Sequence, residues 1–191
     1  MNHKDNKGAQ RTRASIKSAF LDLAETTELR QISVRQLTDA CQISRGTFYL
    51  HYSDVFDLAS TMESEILDQL ESELSKRGGE AAQADGFPML QYAFEYVKSH
   101  QQETHVFLGS QGSADFRERL RQLIERYCLV GVGGLYGSMD ERAESLFAPY
   151  AAAGILEVVR VWVRDGCDIP CAELAQLAGT MTLRGAEGFS T

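Results

Sequence analysis

The chain has 191 residues, of which 43% are hydrophobic and 24% charged, with only 3 Pro. That composition is globular and excludes a disordered chain, a collagen and a coiled-coil rod, and the length suits one domain or a small module fused to a larger one. The net charge of −8 argues against a chain that binds nucleic acid over its whole surface.

The charge is unevenly spread. Residues 1–21 carry Lys4, Lys7, Arg11, Arg13 and Lys17 against Asp5 alone, a balance of +4. Residues 1–55 balance at +2 and residues 56–191 at −10. An acidic body with a basic end can orient on a polyanion. The charge-free stretches Tyr127–Met139 and Ser145–Leu156 are too short to cross a bilayer. The first residues, MNHKDNKGAQRTR, hold no apolar segment of the secretory kind, so a cytoplasmic location is expected. Cys41, Cys128, Cys167 and Cys171 have no zinc spacing and read as reduced, mostly buried thiols. His3, His51, His100 and His105 are equally scattered, so neither a metal nor another cofactor is expected.

The pattern is helical almost throughout, with about nine helices and no strand-type alternation. A first helix is predicted over about Ala9 to Glu28, with Ile16, Phe20, Leu23 and Ala24 on one face. Ser33 reads as an N-cap, because its hydroxyl can accept from a free N–H of the next turn. A short helix follows to about Cys41, with Val34, Leu37 and Cys41 inward. Ser44 caps a second short helix, Arg45 to about His51. Ser53 reads as a third cap, opening a long helix to about Lys76 in which Leu58, Met62, Ile66, Leu70 and Leu74 form an apolar stripe.

Gly78, Gly79 and the small polar run to Gly86 break the pattern and mark the best candidate boundary. Pro88 suits the first turn of a helix to about Gln101. A short piece over Glu103 to Leu108, a loop at Gly109 to Gly112 and a helix capped by Ser113 come next. That helix runs to about Tyr127, and GVGGLYG (131–137) reads as a loop. Helices over about Asp140 to Arg164 and Cys171 to Leu183 close the chain. The GVGG run lacks the Lys and the preceding strand of a phosphate-binding loop. Glu63 and Glu65 read as solvated carboxylates on an outer helix face. No nucleophile motif or acid pair emerges, so no enzyme is expected.

The chemistry concentrates in Ser33–Tyr52, SVRQLTDACQISRGTFYLHY. Two short helices joined by a turn of about four residues make a helix-turn-helix. Its second helix must offer small or polar residues to a groove about 12 Å wide, and Ser44, Arg45, Gly46 and Thr47 do so. Gly46 is a poor helix former, which suggests a backbone close to something. Phe48 points to the core. Tyr49, His51 and Tyr52 are polar-tipped rings able to donate to phosphates.

Ser33–Tyr52, with the helix before it and Leu58 after it, resembles the DNA-binding domain of the TetR family of transcriptional regulators. Ile43-Ser44, Gly46-Thr47-Phe48-Tyr49 and Tyr52 fall in that family's order, and the likeness covers about residues 9–60. Tyr150–Trp162 with Asp165-Gly166 is similar to the eighth helix of one TetR branch whose ligands are mostly unassigned. The resemblance implies an all-α homodimer: residues 1–55 bind double-stranded DNA at a palindromic operator, and residues 56–191 dimerise and sense a small-molecule effector. It places Arg35 at a base or phosphate, Arg45 and Thr47 at bases and backbone, and Tyr49 and His51 at phosphates. Ser33 and Ser44 would present helix N-termini to phosphates.

The resemblance further implies an apolar effector pocket between the fifth and eighth helices. Its aromatic candidates are Tyr92, Tyr96, Phe107, Tyr127, Phe147 and Tyr150, with His105 as a polar-tipped partner. The last two helices would pair between subunits through Ile155, Val158, Val159, Trp162, Leu174, Leu177 and Met181. Three positions depart from the family pattern: Val55 where a Lys is usual, Gln42 where Gly is common, and Thr38 for the usual Ala. The first sets up a second expectation, a TetR-like co-regulator with weakened DNA binding that acts through protein contacts.

Overall fold

The computed structural model describes residues 3–81, 87–109, 111–136 and 140–187. Among them the secondary structure is helical, without strands. The helices are α1 (His3–Ala24), α2 (Val34–Cys41), α3 (Arg45–Tyr49), α4 (Val55–Ala81), α5 (Pro88–Ser99), α6 (Gln101–Leu108), α7 (Ala114–Tyr136), α8 (Glu141–Arg164) and α9 (Cys171–Glu187), with a 3-10 turn at Leu29–Gln31. They fall into two compact units. One comprises residues 1–65 and 106–113, the other 66–105 and 114–191.

The first unit packs α1 on α2 and α2 on α3. Its core is built from Ile16 and Phe20 of α1, Leu37 of α2, Phe48 of α3 and Leu58 of α4, all fully buried. The predicted caps explain the short helices. Ser33 Oγ accepts from the Gln36 N–H while the Gln36 side chain accepts from the Ser33 N–H, a reciprocal capping box. α2 then stops at Gln42, whose φ of 54° is left-handed, and the Ile43 N–H closes back on the Thr38 carbonyl at 3.0 Å. The buried Thr38 hydroxyl donates to the Arg35 carbonyl at 3.1 Å, so this departure from Ala leaves no orphaned polar group. Gln42 carries strain that Gly would not. Gln42→Gly is expected to raise the unfolding midpoint by about 1–2 °C, because the strain relieved slightly exceeds the added unfolded-state entropy. A thermal melt of both proteins checks it.

The start of α4 corrects one reading. The cap is Asp54 rather than Ser53: Asp54 Oδ1 accepts from the Asp57 N–H at 2.8 Å, and the Ser53 N–H donates instead to Asp57 Oδ2 at 2.8 Å. α1 also begins earlier than the apolar pattern suggests and ends at Ala24, ahead of the 3-10 turn. α3 ends at Tyr49, with Leu50 and His51 in the turn that follows.

The segment 106–113, distant in sequence, closes the first unit. Phe107 is fully buried and stacks on Phe20 with ring centroids 6.2 Å apart. Gln111 accepts from the Leu29 N–H at 2.8 Å and donates to the Thr27 carbonyl at 3.1 Å. Ser113 gives both its N–H and its hydroxyl to Glu63, at 2.6 and 2.8 Å. Glu63 is therefore a buried anchor rather than a solvated carboxylate, while Glu65 is ion-paired with Lys17. Gly112 lies so close to the Phe107 carbonyl that an added Cβ would stand 1.8 Å from its oxygen, so only glycine fits.

In the second unit α7 packs on α8, and α5 and α8 on α9. Phe94 meets Trp162 edge to face at 5.7 Å, and the Trp162 ring N–H donates to the Ile169 carbonyl at 3.0 Å. Phe147 and Ala151 pack with Cys128, Leu129 and Leu183. Burial pushes the Cys128 thiol up to about 12, so it stays protonated at neutral pH. All four cysteines are free; only Cys167 is fully buried and the others are half-buried.

Two glycine readings are overturned here. Residues 131–136 of GVGGLYG continue α7 as helix, and Gly137 lies outside the described residues. α4 likewise runs through Gly78 and Gly79 to Ala81, with 82–86 outside the described residues. Each glycine costs a helix only about 1 kcal/mol against Ala, which packing elsewhere along a long helix outweighs. By length and composition α8 could cross a bilayer, yet in the fold it is a core helix packed on α7 and α9.

Candidate nucleic-acid interface

α3 has one face inside and one outside. Phe48 is fully buried, and Tyr49 and Tyr52 pack on it with centroids 5.6 and 5.9 Å away. Ser44 Oγ accepts from the Thr47 N–H at 3.0 Å and lies 2.9 Å from the Thr47 hydroxyl, which fixes the first turn. Arg45 and Gly46 face solvent and Thr47 is half-buried. Arg45 has no ion-pair partner among the described residues, so its five donors are available to a ligand. Arg35 is also exposed and leans on Asp39 at 3.5 Å. At such exposure the pair is worth little and can be exchanged for another anion.

Tyr49 is 57% exposed and His51 half-buried at the far end of α3. Tyr52 does not join them. It is 5% exposed, and burial raises its phenol above the ordinary value, with Glu65 adding to the shift and Arg13 opposing it. Tyr52 is a core ring held by Phe48, not a phosphate donor. Val55, at the position where a Lys is usual, is also buried, so no cation stands at that point. The exposed apolar residues Leu50 (82%) and Phe56 (56%) were not expected at the surface. Leu50 follows Phe48 by two residues, which places it on the opposite side of a helical turn; that spacing was the available signal.

Gly46 is informative because nothing surrounds it. An added Cβ would meet only Ser44 Oγ, at 3.6 Å, so the fold itself does not require glycine there. If α3 faces DNA as the resemblance implies, Gly46→Ala is expected to stabilise the free chain by about 0.5–1 kcal/mol while weakening duplex binding roughly ten-fold, about 1.4 kcal/mol. Paired melts and duplex titrations check the two opposite signs.

The effector candidates do not gather in one place. Tyr92 and Tyr96 line a concavity of about 580 Å³ between α4 and α5, with Gln69, Ser72, Glu95 and His100. Tyr96 donates to the Ile66 carbonyl at 3.1 Å and stacks on His100 at 4.2 Å, and burial pushes its phenol up to about 12. Tyr127 is half-buried with its hydroxyl 3.1 Å from Ser75 Oγ, His105 and Tyr150 are exposed, and Phe147 is core. Phe107 belongs to the other unit, against Phe20. Phe107 and Phe147 are thus packing residues, because both rings are already covered by side chains of their own unit.

The proposed pairing set divides in the same way. Ile155, Val159, Trp162 and Leu174 are buried inside the subunit and have no surface to offer a partner. Val158 is half-buried, and Leu177 and Met181 are exposed. Leu146 and Tyr150 of α8 join them as exposed apolar residues, at 59% and 70%. Three arginines of α7 are tied up in ion pairs, Arg121 with Glu118 and Glu125, Arg126 with Glu71 and Arg119 with Asp68. Those hydrogen bonds from Arg121 hold the Glu118 carboxyl down at about 2.

No curated protein sequence matches the chain. Solved structures do match its fold. A TetR-family transcriptional regulator from Syntrophomonas wolfei aligns with a TM-score of 0.71 at 18% identity, over 94% of this chain and 96% of its own. A TetR transcriptional regulator from Streptococcus agalactiae gives 0.67 at 20% identity, over 93% and 97%. NalD, the secondary repressor of the MexAB-OprM multidrug efflux pump in Pseudomonas aeruginosa, gives 0.65 at 16% identity, over 94% and 97%. A TetR family profile described as "Transcriptional regulator C-terminal region" matches residues 85–184. With that region spanning more than half of the sequence, behind a capped helix pair at 34–49, the chain belongs to the TetR family of transcriptional regulators.

Proposed function

We propose that the chain is a sequence-specific DNA-binding repressor, acting in the cytoplasm as a homodimer and released from its operator by a small-molecule effector. Residues 1–55 would carry DNA binding and residues 56–191 dimerisation and sensing. The carrying observation is the two-sided α3, with Phe48 buried and Arg45 exposed and unpaired at the capped end. Arg35, Thr47, Tyr49 and His51 surround that reading element, and Ser33 and Ser44 fix the helix starts. One five-residue helix reads too few base pairs for specificity, so two copies are needed, one helical turn of DNA apart. Leu146, Tyr150, Leu177 and Met181 are exposed apolar residues that pairing through α8 and α9 would cover. An effector in the α4–α5 concavity would act by favouring one separation of the two α3 helices, which requires different affinity for the two spacings.

Selection of random duplexes by the intact protein tests the reading. Enrichment of two-fold symmetric sites with half-sites about 10–10.5 bp apart supports it; recovery of unselected sequence would overturn it. Buried Val55 and exposed Leu50 and Phe56 favour one second reading, a co-regulator that works through protein contacts. Under that reading no duplex is enriched while the chain still co-purifies with a DNA-bound regulator.

A further inference from the structure

α1 is longer than the core it serves. Of its side chains from Lys7 onward, Ile16 is the first that is fully buried, whereas the helix begins at His3. The turns before Ile16 therefore extend past the packed face, and Lys7, Arg11 and Arg13 are all exposed on them. Lys7 and Arg11, four apart, share one face of the helix. Neither has an ion-pair partner among the described residues, whereas Lys17, one turn into the core, is neutralised by Glu65. Asp5 is the single acidic residue before Asp22.

One contact and one electrostatic interaction indicate where this extension leaves the unit. The Cys41 thiol, at the end of α2, donates to the Ser15 carbonyl at 3.4 Å, so α1 passes beside the turn that leads into α3. Arg13 is close enough to Tyr52, just beyond α3, for its charge to act on that phenol. The basic turns thus emerge next to the reading helix, in a chain whose remaining residues from 56 onward carry −10. An isolated cationic helix in an acidic protein has no internal use for its charge; a phosphate backbone beside the read groove supplies the missing counter-charge.

We propose that the projecting start of α1, through Lys7 and Arg11, is a second DNA contact that grips backbone phosphates flanking the bases read by α3. The proposal rests on the DNA-binding reading above and adds a sequence-independent grip, one that offsets the cation absent at Val55. It neutralises phosphates and reads no bases, so it acts on salt dependence and not on sequence preference.

The test is a fluorescence-anisotropy titration of the selected duplex between 50 and 200 mM salt, with the intact protein and with the double variant Lys7→Gln, Arg11→Gln. Each lost phosphate contact flattens the log–log salt slope by about 0.9. The double variant should therefore lose about two units of slope per subunit. Over that four-fold rise in salt the original chain should lose roughly 12-fold more affinity than the variant, per subunit. Its ranking of mismatched duplexes and its melting temperature should not change, since both side chains lie outside the core. Equal salt slopes overturn the grip while leaving the reading role of α3 intact. A wild-type chain that binds no duplex even at 50 mM salt overturns both. A variant that loses sequence ranking together with slope also overturns the proposal, because the residues would then belong to the reading site.

Discussion

Phe107→Ala is expected to destabilise the first unit by about 3–5 kcal/mol, the usual result of deleting a fully buried ring. Phe107 exposes none of its surface and stacks on Phe20, itself fully buried in α1. The neighbouring segment is over-determined by Gln111 on the 27–29 turn and by Ser113 on Glu63, and Gly112 leaves no slack beside the Phe107 carbonyl. The backbone is held at both sides of the missing ring, so the void cannot close by collapse and the loss falls at the high end of the range. Denaturant unfolding followed by circular dichroism should show the midpoint falling. In a thermal scan the shift should be roughly 10 °C. Ser18→Ala, on an exposed side chain of α1, is the control and should stay within about 0.5 kcal/mol. A Phe107→Ala midpoint equal to that control would mean that residues 106–113 do not complete this core.

Arg45→Ala is expected to cost about 1–3 kcal/mol of discrimination per half-site, a 5- to 150-fold loss on the selected operator, with a much smaller loss on random duplex. Folding should be untouched, since the side chain faces solvent and holds no partner among the described residues. Arg45→Lys separates the two ways an arginine can serve. It keeps the charge and discards the planar fork, so a base-reading Arg45 remains impaired while a phosphate-gripping one is restored. Arg160→Ala, whose side chain pairs with Glu157 far along α8, should bind like the original chain. Equal loss on operator and random duplex would move Arg45 from the reading set to the phosphate set.

The parts of this fold that could be read in advance are those fixed by near neighbours in sequence. The Ser33–Gln36 box and the Ser44 cap each close within three residues, so their residue types report them directly, whereas the left-handed turn at Gln42 is held against its residue type. Phe48 inside follows from its apolar ring, and Gly46 outside follows from helical spacing, two residues away; Arg45, three residues before Phe48, is kept outside by its charge instead. Exposure of Leu50 was legible by the same arithmetic. What could not be read depends on distant partners. Nothing near Glu63 announces Ser113, fifty residues on, and an isolated acidic residue on a helix is ordinarily solvated. Phe107 reads as one aromatic among many until Phe20 is beside it. Tyr52 carries a polar tip, yet the ring packs on Phe48 and takes the hydroxyl with it. The glycine runs misled for a related reason: local propensity forecasts a break, and the continuing helix is decided by packing along its whole length.

The way the chain is shared between its two units has a practical corollary. The polypeptide leaves the first unit after Glu65, returns to it at Val106 and departs again after Ser113. A fragment cut at residue 65 would keep α1 to α3 whole and still lack its lid. Phe20 would be stripped of its stacking partner, Glu63 would lose both of its Ser113 donors, and the 27–29 turn would lose both amide contacts. The first unit is thus not a severable cassette. Grafting it onto another body would require carrying residues 106–113 along, spliced to follow α4 at the distance the native chain spans by way of α5 and α6.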